Sequence, residues 1–188
     1  TCKNKLKLQK KQVRERRDAI MKDNAGIAMS EGESIALEQV KMTNDNMAKS
    51  HYHTYFELYY LEEGTRYHVV EDMVCCLNPK NFILFPPYVM HHSYSDKDVR
   101  FKRTLIYFTK AMISDSQIFS ILSKNIWQYG EDDGEEILRL IHEIVKEQEK
   151  GDAYSQKYIY FLLNQILVKL VRKKIKPEGA EGEDRIMN

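Results

Sequence analysis

The chain has 188 residues, of which 43% are apolar and only 8 are Gly and 4 Pro, a composition that excludes collagen-like, low-complexity and wholly disordered classes. Its 29 basic and 28 acidic residues leave a net charge of +1, so bulk charge does not mark it as a polyanion binder. One or two compact domains fit this length, and folding would bury about 70% of the unfolded chain's surface.

The first 24 residues hold nine Lys or Arg against three acids, with Leu6, Val13 and Ile20 recurring every seventh position. The companion seam positions are polar, so residues 1–33 read as a basic, solvated helix or arm rather than a coiled coil. From Ser34 onward the chain breaks into short runs rich in Tyr, Val, Ile, Phe and Thr, with turn signals about every ten residues. Strands are expected near Ile35–Met42, Tyr55–Leu61, Tyr67–Val70, Met73–Leu77, Phe82–Phe85 and Phe101–Phe108, which makes residues 34–112 a β-sandwich or barrel. Residues 113–176 turn helical, with helices expected over Ser114–Trp127, Glu135–Glu149 and Ala153–Ile175. The second carries Ile137, Leu138, Ile141, Ile144 and Val145 on one face.

In the third helix apolar residues wrap most of the circumference, so it should bury two faces. A twofold contact with a second copy would cover one of them, and Leu163, Ile166, Leu167 and Leu170 are the candidate anchors. The longest apolar run, Tyr158 to Val171, is broken by Asn164, Gln165 and Lys169 and falls short of the roughly 20 residues of a membrane span. The first two dozen residues also lack the apolar core of a secretion signal. A soluble cytoplasmic protein without membrane contact is expected. Cys75 and Cys76, adjacent on a strand, are read as small buried hydrophobes rather than redox groups. Residues 177–188 read as a Gly- and Glu-rich linker toward a further segment.

The chemistry concentrates in His51-Tyr52-His53-Thr54-Tyr55-Phe56-Glu57. Strand alternation puts His51, His53, Tyr55, Glu57, Tyr59 and Leu61 on one face. With His91 from a later strand, His51, His53 and Glu57 could hold a divalent ion such as Zn, Ni or Mn, or form a hydrogen-bonded polar patch that orders a pocket. Tyr55, Tyr59, Tyr67 and Tyr107 lie on expected strands and offer rings with polar tips to line that pocket. His68 and His142 are isolated, and His92 should point away from His91.

His51, His53, Glu57 and Gly64 reproduce the spacing HxHx3Ex6G, and so resemble the first motif of the cupin superfamily, a double-stranded β-barrel. Lys80, Pro86 and His91 keep the spacing of its second motif, with Lys80 and Tyr88 standing where glycines are expected and the terminal Asn absent. This order of motifs, followed by a helical tail, is similar to the N-terminal regulatory half of bacterial AraC-family transcription factors. The resemblance implies an α+β, mainly β fold: a cupin barrel that senses a sugar or other small-molecule effector, followed by helices that mediate homodimerisation. It assigns DNA contact to a separate C-terminal domain, toward which the segment from Lys176 would lead. It implies a ligand pocket of His51, His53, Tyr55, Glu57, Tyr59, Tyr67, His91 and Tyr107 and no enzymatic activity. The alternative is a metal-dependent cupin enzyme, a dioxygenase or isomerase, with His51, His53, Glu57 and His91 as ligands.

Overall fold

The computed structural model describes residues 23–43, 46–47, 49–124, 126–129 and 131–174. A short helix α1 (Asn24–Ser30) leads into seven strands: β1 (Ile35–Thr43), β2 (Phe56–Glu63), β3 (Arg66–Val70), β4 (Met73–Leu77), β5 (Phe82–Phe85), β6 (His91–Tyr94) and β7 (Arg100–Phe108). A 3-10 turn (Lys110–Met112), α2 (Ser116–Leu122), β8 (Trp127–Tyr129), α3 (Glu131–Lys150) and α4 (Ser155–Lys174) follow. The strands form two antiparallel sheets, ordered β1-β7-β2-β5-β8 and β4-β3-β6. Among the described residues no helix is long and apolar enough to cross a membrane.

Alternation along the strands divides the apolar residues between two cores. On β2, Tyr59 and Leu61 face the space between the sheets, where they meet Ile83, Phe85, Phe101, Leu105 and Tyr107. The intervening Phe56, Leu58 and Tyr60 face the other way and pack with Phe82, Leu84, Ile106 and Phe108 against the helices. A continuously apolar strand is what burial on both faces demands, and β2 runs buried from Phe56 to Leu61. α1 is capped by Asp23, whose Oδ1 accepts from the Gly26 amide at 2.7 Å. Its Ala25 and Met29 join the inter-sheet core.

The helical layer corrects several expectations. Leu163, Ile166, Leu167 and Leu170 are fully buried within the single chain, in one core with the outer sheet face and with Ile137, Leu140, Ile141 and Ile144 of α3. They therefore cannot anchor a contact between copies: the two apolar faces of α4 are covered internally. The large apolar side chains that α4 leaves outside, among its exposed polar ones, are aromatic: Tyr154 just before it and Tyr158 and Phe161 within it are 76%, 47% and 55% exposed. The helix expected over Ser114–Trp127 stops at Leu122, and the chain re-enters the sheet as β8. β6 was not anticipated either. Cys76 is exposed and Cys75 only half-buried, because β4 is an edge strand with an open outer face. The basic segment, except for its end at Asp23 and α1, and the linker over 177–188 lie outside the described residues.

Candidate functional site

Four side chains converge at the β6 end of the barrel. The backbones of His51 and His91 exchange both hydrogen bonds at 2.9 Å, and the Tyr88 amide donates to the His53 carbonyl at 2.8 Å, which ties the stretch before β2 to the loop and strand that carry His91. The side chains of His51, His53, Glu57 and His91 then offer ligand atoms within 4.8 Å of one another. Nε2 of His51 and Nε2 of His53 are 3.1 Å apart, and Oε2 of Glu57 lies 3.1 Å from Nε2 of both His53 and His91. The rings are packed in place: His91 stacks on Phe85 at 4.1 Å, and His53 stacks on Tyr55 at 4.8 Å and touches Tyr107 at 5.1 Å.

The protons in this cluster can be counted. Nδ1 of His91 faces the Val89 carbonyl at 2.9 Å, and since a carbonyl only accepts, Nδ1 carries a proton. A neutral His91 would then aim a lone pair at the Glu57 carboxylate. Burial opposes charge on His91, but the hydrogen bond and the charge of Glu57 outweigh it and push its pKa up. Burial would likewise raise Glu57, yet hydrogen bonds from His53 and His91 hold it well below the usual carboxylate range. His51 is lowered to about 4 by burial, with His91 and His53 adding to the effect. With protons alone, the cluster needs a charged His91 and one His53 N–H shared between His51 and Glu57. A divalent cation accepts all four donors at once, and donors about 2.0–2.2 Å from an ion sit roughly 3–4 Å from one another. Three imidazoles and one carboxylate thus fit a Zn-, Ni- or Mn-type ion.

The tetrad opens into a cavity of about 430 Å³ between the sheets, whose wall also includes Asp23, Glu38, Met42, Met47, Tyr59, His68, Ser93, Arg103 and Tyr107. A family model for the AraC-like ligand-binding domain matches residues 34–163, which holds the tetrad, the cavity and most of the helical layer. The chain belongs to the AraC-like ligand-binding domain family. Among curated proteins, none matches the sequence. The fold is cupin-like. Apo ToxT from Vibrio cholerae superposes with a TM-score of 0.52 at 11% identity, over 81% of this chain and 61% of that one. A cupin-like protein from Thermotoga maritima gives 0.39 at 13% identity over 45% of this chain and 64% of that one. A cupin protein from Bacteroides fragilis gives 0.41 at 11% over 47% and 78%. The chain therefore spans less than two thirds of ToxT and of the Thermotoga protein.

Within this AraC-like domain the expected pocket residues separate into three groups. His51, His53, Glu57, Tyr59, His91 and Tyr107 line the cavity. Tyr55 stands behind it, stacked on His53 and 5.0 Å from Tyr107. Tyr67 does not reach it: on β3 the inward positions are Arg66, His68 and Val70, and Tyr67 stacks on Tyr94 on the outer face. His68, isolated in the sequence, does line the cavity. His92 points away, with Nδ1 2.9 Å from Ser50 Oγ, and His142 is exposed on α3. Arg103 and Ser93 line the cavity as well, four residues from Tyr107 and two from His91 respectively. Phe101, Arg103, Leu105 and Tyr107 alternate inward on β7, as His91 and Ser93 do on β6. Asp23 carried no local signal, because only the packing of α1 on β1 and β7 brings it to the cavity.

Proposed function

We propose that this AraC-like domain is the effector-sensing and dimerisation part of a bacterial, cytoplasmic transcription regulator, reading a sugar or other small metabolite. DNA contact is made by a separate domain. The observation that carries the reading is a cavity of about 430 Å³, open to solvent on one side, between the two sheets and lined by convergent polar groups, within a chain matched over 34–163 by the AraC-like ligand-binding model. An effector there touches strands of both sheets and Asp23 beside α1, so its binding free energy depends on how α1 sits on the barrel. That differential contact is what lets a small molecule shift a conformational equilibrium.

His51, His53, Glu57 and His91 would hold a divalent ion at one wall of this cavity. When bound, such an ion supplies a Lewis-acidic anchor for an effector oxygen. Around it the chain's own groups orient the pocket: Phe85 fixes the His91 ring and Val89 its tautomer, while Tyr107 and Tyr55 wall off His53. The same donor set favours one second reading, a metal-dependent cupin enzyme of the dioxygenase or isomerase type.

The two readings are separated by elemental analysis and calorimetry on protein purified without chelators. The regulator reading expects metabolite binding that leaves the metabolite chemically unchanged, with stabilisation that grows with its concentration. Turnover of a bound metabolite on adding Zn, Ni or Mn would sink it in favour of the enzyme. His53→Ala should lower metal occupancy, and unchanged occupancy would show that the tetrad is only a polar patch.

A further inference from the structure

A second group of polar side chains meets the same cavity beyond the Phe85 ring, which stacks on His91 and lies 5.5 Å from the ring of His68. His68 comes from β3, Tyr59 from β2, Ser93 from β6 and Arg103 from β7, so both sheets contribute. His68 and Tyr59 are each 1% exposed and meet edge to face at 4.4 Å. Among the described residues neither ring nitrogen of His68 has a hydrogen-bond partner. The Tyr59 hydroxyl lies by the guanidinium groups of Arg66 and Arg103 without a hydrogen bond of ordinary geometry, and Arg103 is held over the Tyr59 and Phe101 rings at 5.5 and 6.0 Å. Arg66, fully buried, stacks on Phe101 at 4.2 Å and donates to Ser93 Oγ at 2.6 Å and Ser95 Oγ at 3.3 Å. By accepting from Arg66, Ser93 keeps its own O–H as a donor at the cavity wall, where the Met47 thioether, a weak acceptor, faces it at 3.5 Å.

The carboxylates of the cavity are already engaged. Glu57 is held by His53 and His91, Asp23 accepts from the Gly26 amide, and Glu38 accepts from the Asn24 amide at 3.2 Å. We propose that the wall formed by Tyr59, His68, Ser93 and Arg103 is a subsite for an anionic group, so that the effector is a small organic acid. Its carboxylate takes the Arg103 guanidinium, the Tyr59 and Ser93 hydroxyls and the His68 N–H. This assignment rests on the effector-binding reading above and narrows its ligand class. Burial keeps His68 neutral, with its pKa pushed down to about 3 and Arg66 and Arg103 pulling the same way. One ring nitrogen is thus a donor, and the two guanidiniums set a positive potential around it. A guanidinium in a partly desolvated pocket favours a carboxylate over a hydroxyl because the paired hydrogen bonds are charge-assisted.

The test titrates the full chain with benzoate, succinate, benzamide, succinamide and xylose, read by calorimetry and thermal unfolding. An acid is expected to bind at least tenfold more tightly than its own amide. Tyr59→Phe and His68→Gln should each weaken that binding about 10- to 100-fold, as loss of a hydrogen bond to a charged group does. Should either variant fold poorly, the ring-nitrogen NMR signals of His68 in the unaltered chain provide the second reading, and they should move on adding the acid. Static His68 signals at saturating acid, or acid binding no tighter than amide binding, overturns the subsite. Xylose or amide binding that is indifferent to His68→Gln also overturns it while leaving effector binding in the barrel intact. No response to any of the five probes counts against both readings.

Discussion

At the scale of single residues, the buried histidines set the acid limit of the fold. Glu57 sits below its ordinary 4.5, so its contribution is present above that pH and fades as pH falls through the folded value. His91 is raised above 6.5, so its contribution is complete below 6.5 and is lost as pH rises through the folded value. His51 and His68 work in the opposite direction to His91. Their folded values of about 4 and about 3 lie under the unfolded 6.5, so the unfolded chain binds the extra protons and stability drops as pH falls below 6.5. For the nearly inaccessible His68 the slope is on the order of 1 kcal/mol per pH unit between 6.5 and about 3. Urea unfolding at pH 7, 6 and 5 should therefore show the unaltered protein losing stability faster than His68→Phe; parallel loss would mean that His68 does not titrate in this window. Backbone conformation supplies a second test. Lys80 and Tyr88, the two positions where the cupin motif expects glycine, have φ of 70° and 67°, so the chain keeps the left-handed geometry without the residue that suits it. Lys80→Gly should stabilise by about 0.5–1 kcal/mol, the relief of left-handed strain less the entropy that glycine adds to the unfolded chain. A lower urea midpoint would show that the ion pair of Lys80 with Glu135 outweighs it. Gly64 is the reverse case: with φ of 86° and the Arg100 carbonyl 2.2 Å from where a Cβ would sit, it admits no side chain.

At the scale of elements, Asn164 shows why part of the fold was legible and part was not. In the sequence it is one of three polar breaks in an apolar run. In the fold it is a buried clamp: its Oδ1 accepts from the Ser114 amide at 2.7 Å, and its Nδ2 donates to the carbonyls of Met112 and Tyr160 at 2.9 and 2.8 Å. It thereby fixes the end of the 3-10 turn and the approach to α2 against α4. Asn164→Leu strands the Ser114 N–H and the Met112 carbonyl, and should cost about 2–6 kcal/mol at about 1–3 per unsatisfied group; urea midpoints check it, and a loss below about 1 kcal/mol would mean that water reaches the joint. Such long-range partners leave no periodic trace. Local signal did give most strands, α3 and α4: runs of strand-forming residues between turns, as in β2 with both faces buried, and the apolar stripe of α3. It could not give β8, three residues paired at the edge of a sheet by contacts far along the chain. For the site, HxH and Glu were legible as a spaced motif: Glu57 lies on β2, while His51 and His53 precede it and are held at the site by the backbone bridge of His51 to His91. His68 and Arg103 were lost when alternation was not extended along β3 and β7, and Asp23 because only the docking of α1 brings it near.

At the scale of the whole molecule, the proposed dimer must form without the residues first assigned to it. Leu163, Ile166, Leu167 and Leu170 already fill the core between the five-stranded sheet and α3, and changing any of them to Glu would unfold the chain rather than separate copies. What remains is an exposed aromatic row: Tyr154 just before the helix, and Tyr158 and Phe161 on it, four and seven residues further along. Two antiparallel copies of such a line are self-complementary, since Tyr158 near its middle meets its own mate while Tyr154 and Phe161 exchange partners. Aromatic rings bring large area and a polar tip that can stay wet, a combination suited to interfaces. Val168, half-buried further along the helix, lies about two turns beyond Phe161. If two chains associate through α4, Phe161→Glu should yield monomers with unchanged circular dichroism and thermal midpoint, while Leu163→Glu should lose folded structure altogether. Sedimentation equilibrium over micromolar concentrations distinguishes these outcomes. A single-chain mass for the unaltered protein throughout that range would remove the dimer, and a dimer that survives Phe161→Glu would place the contact on a surface other than this helix.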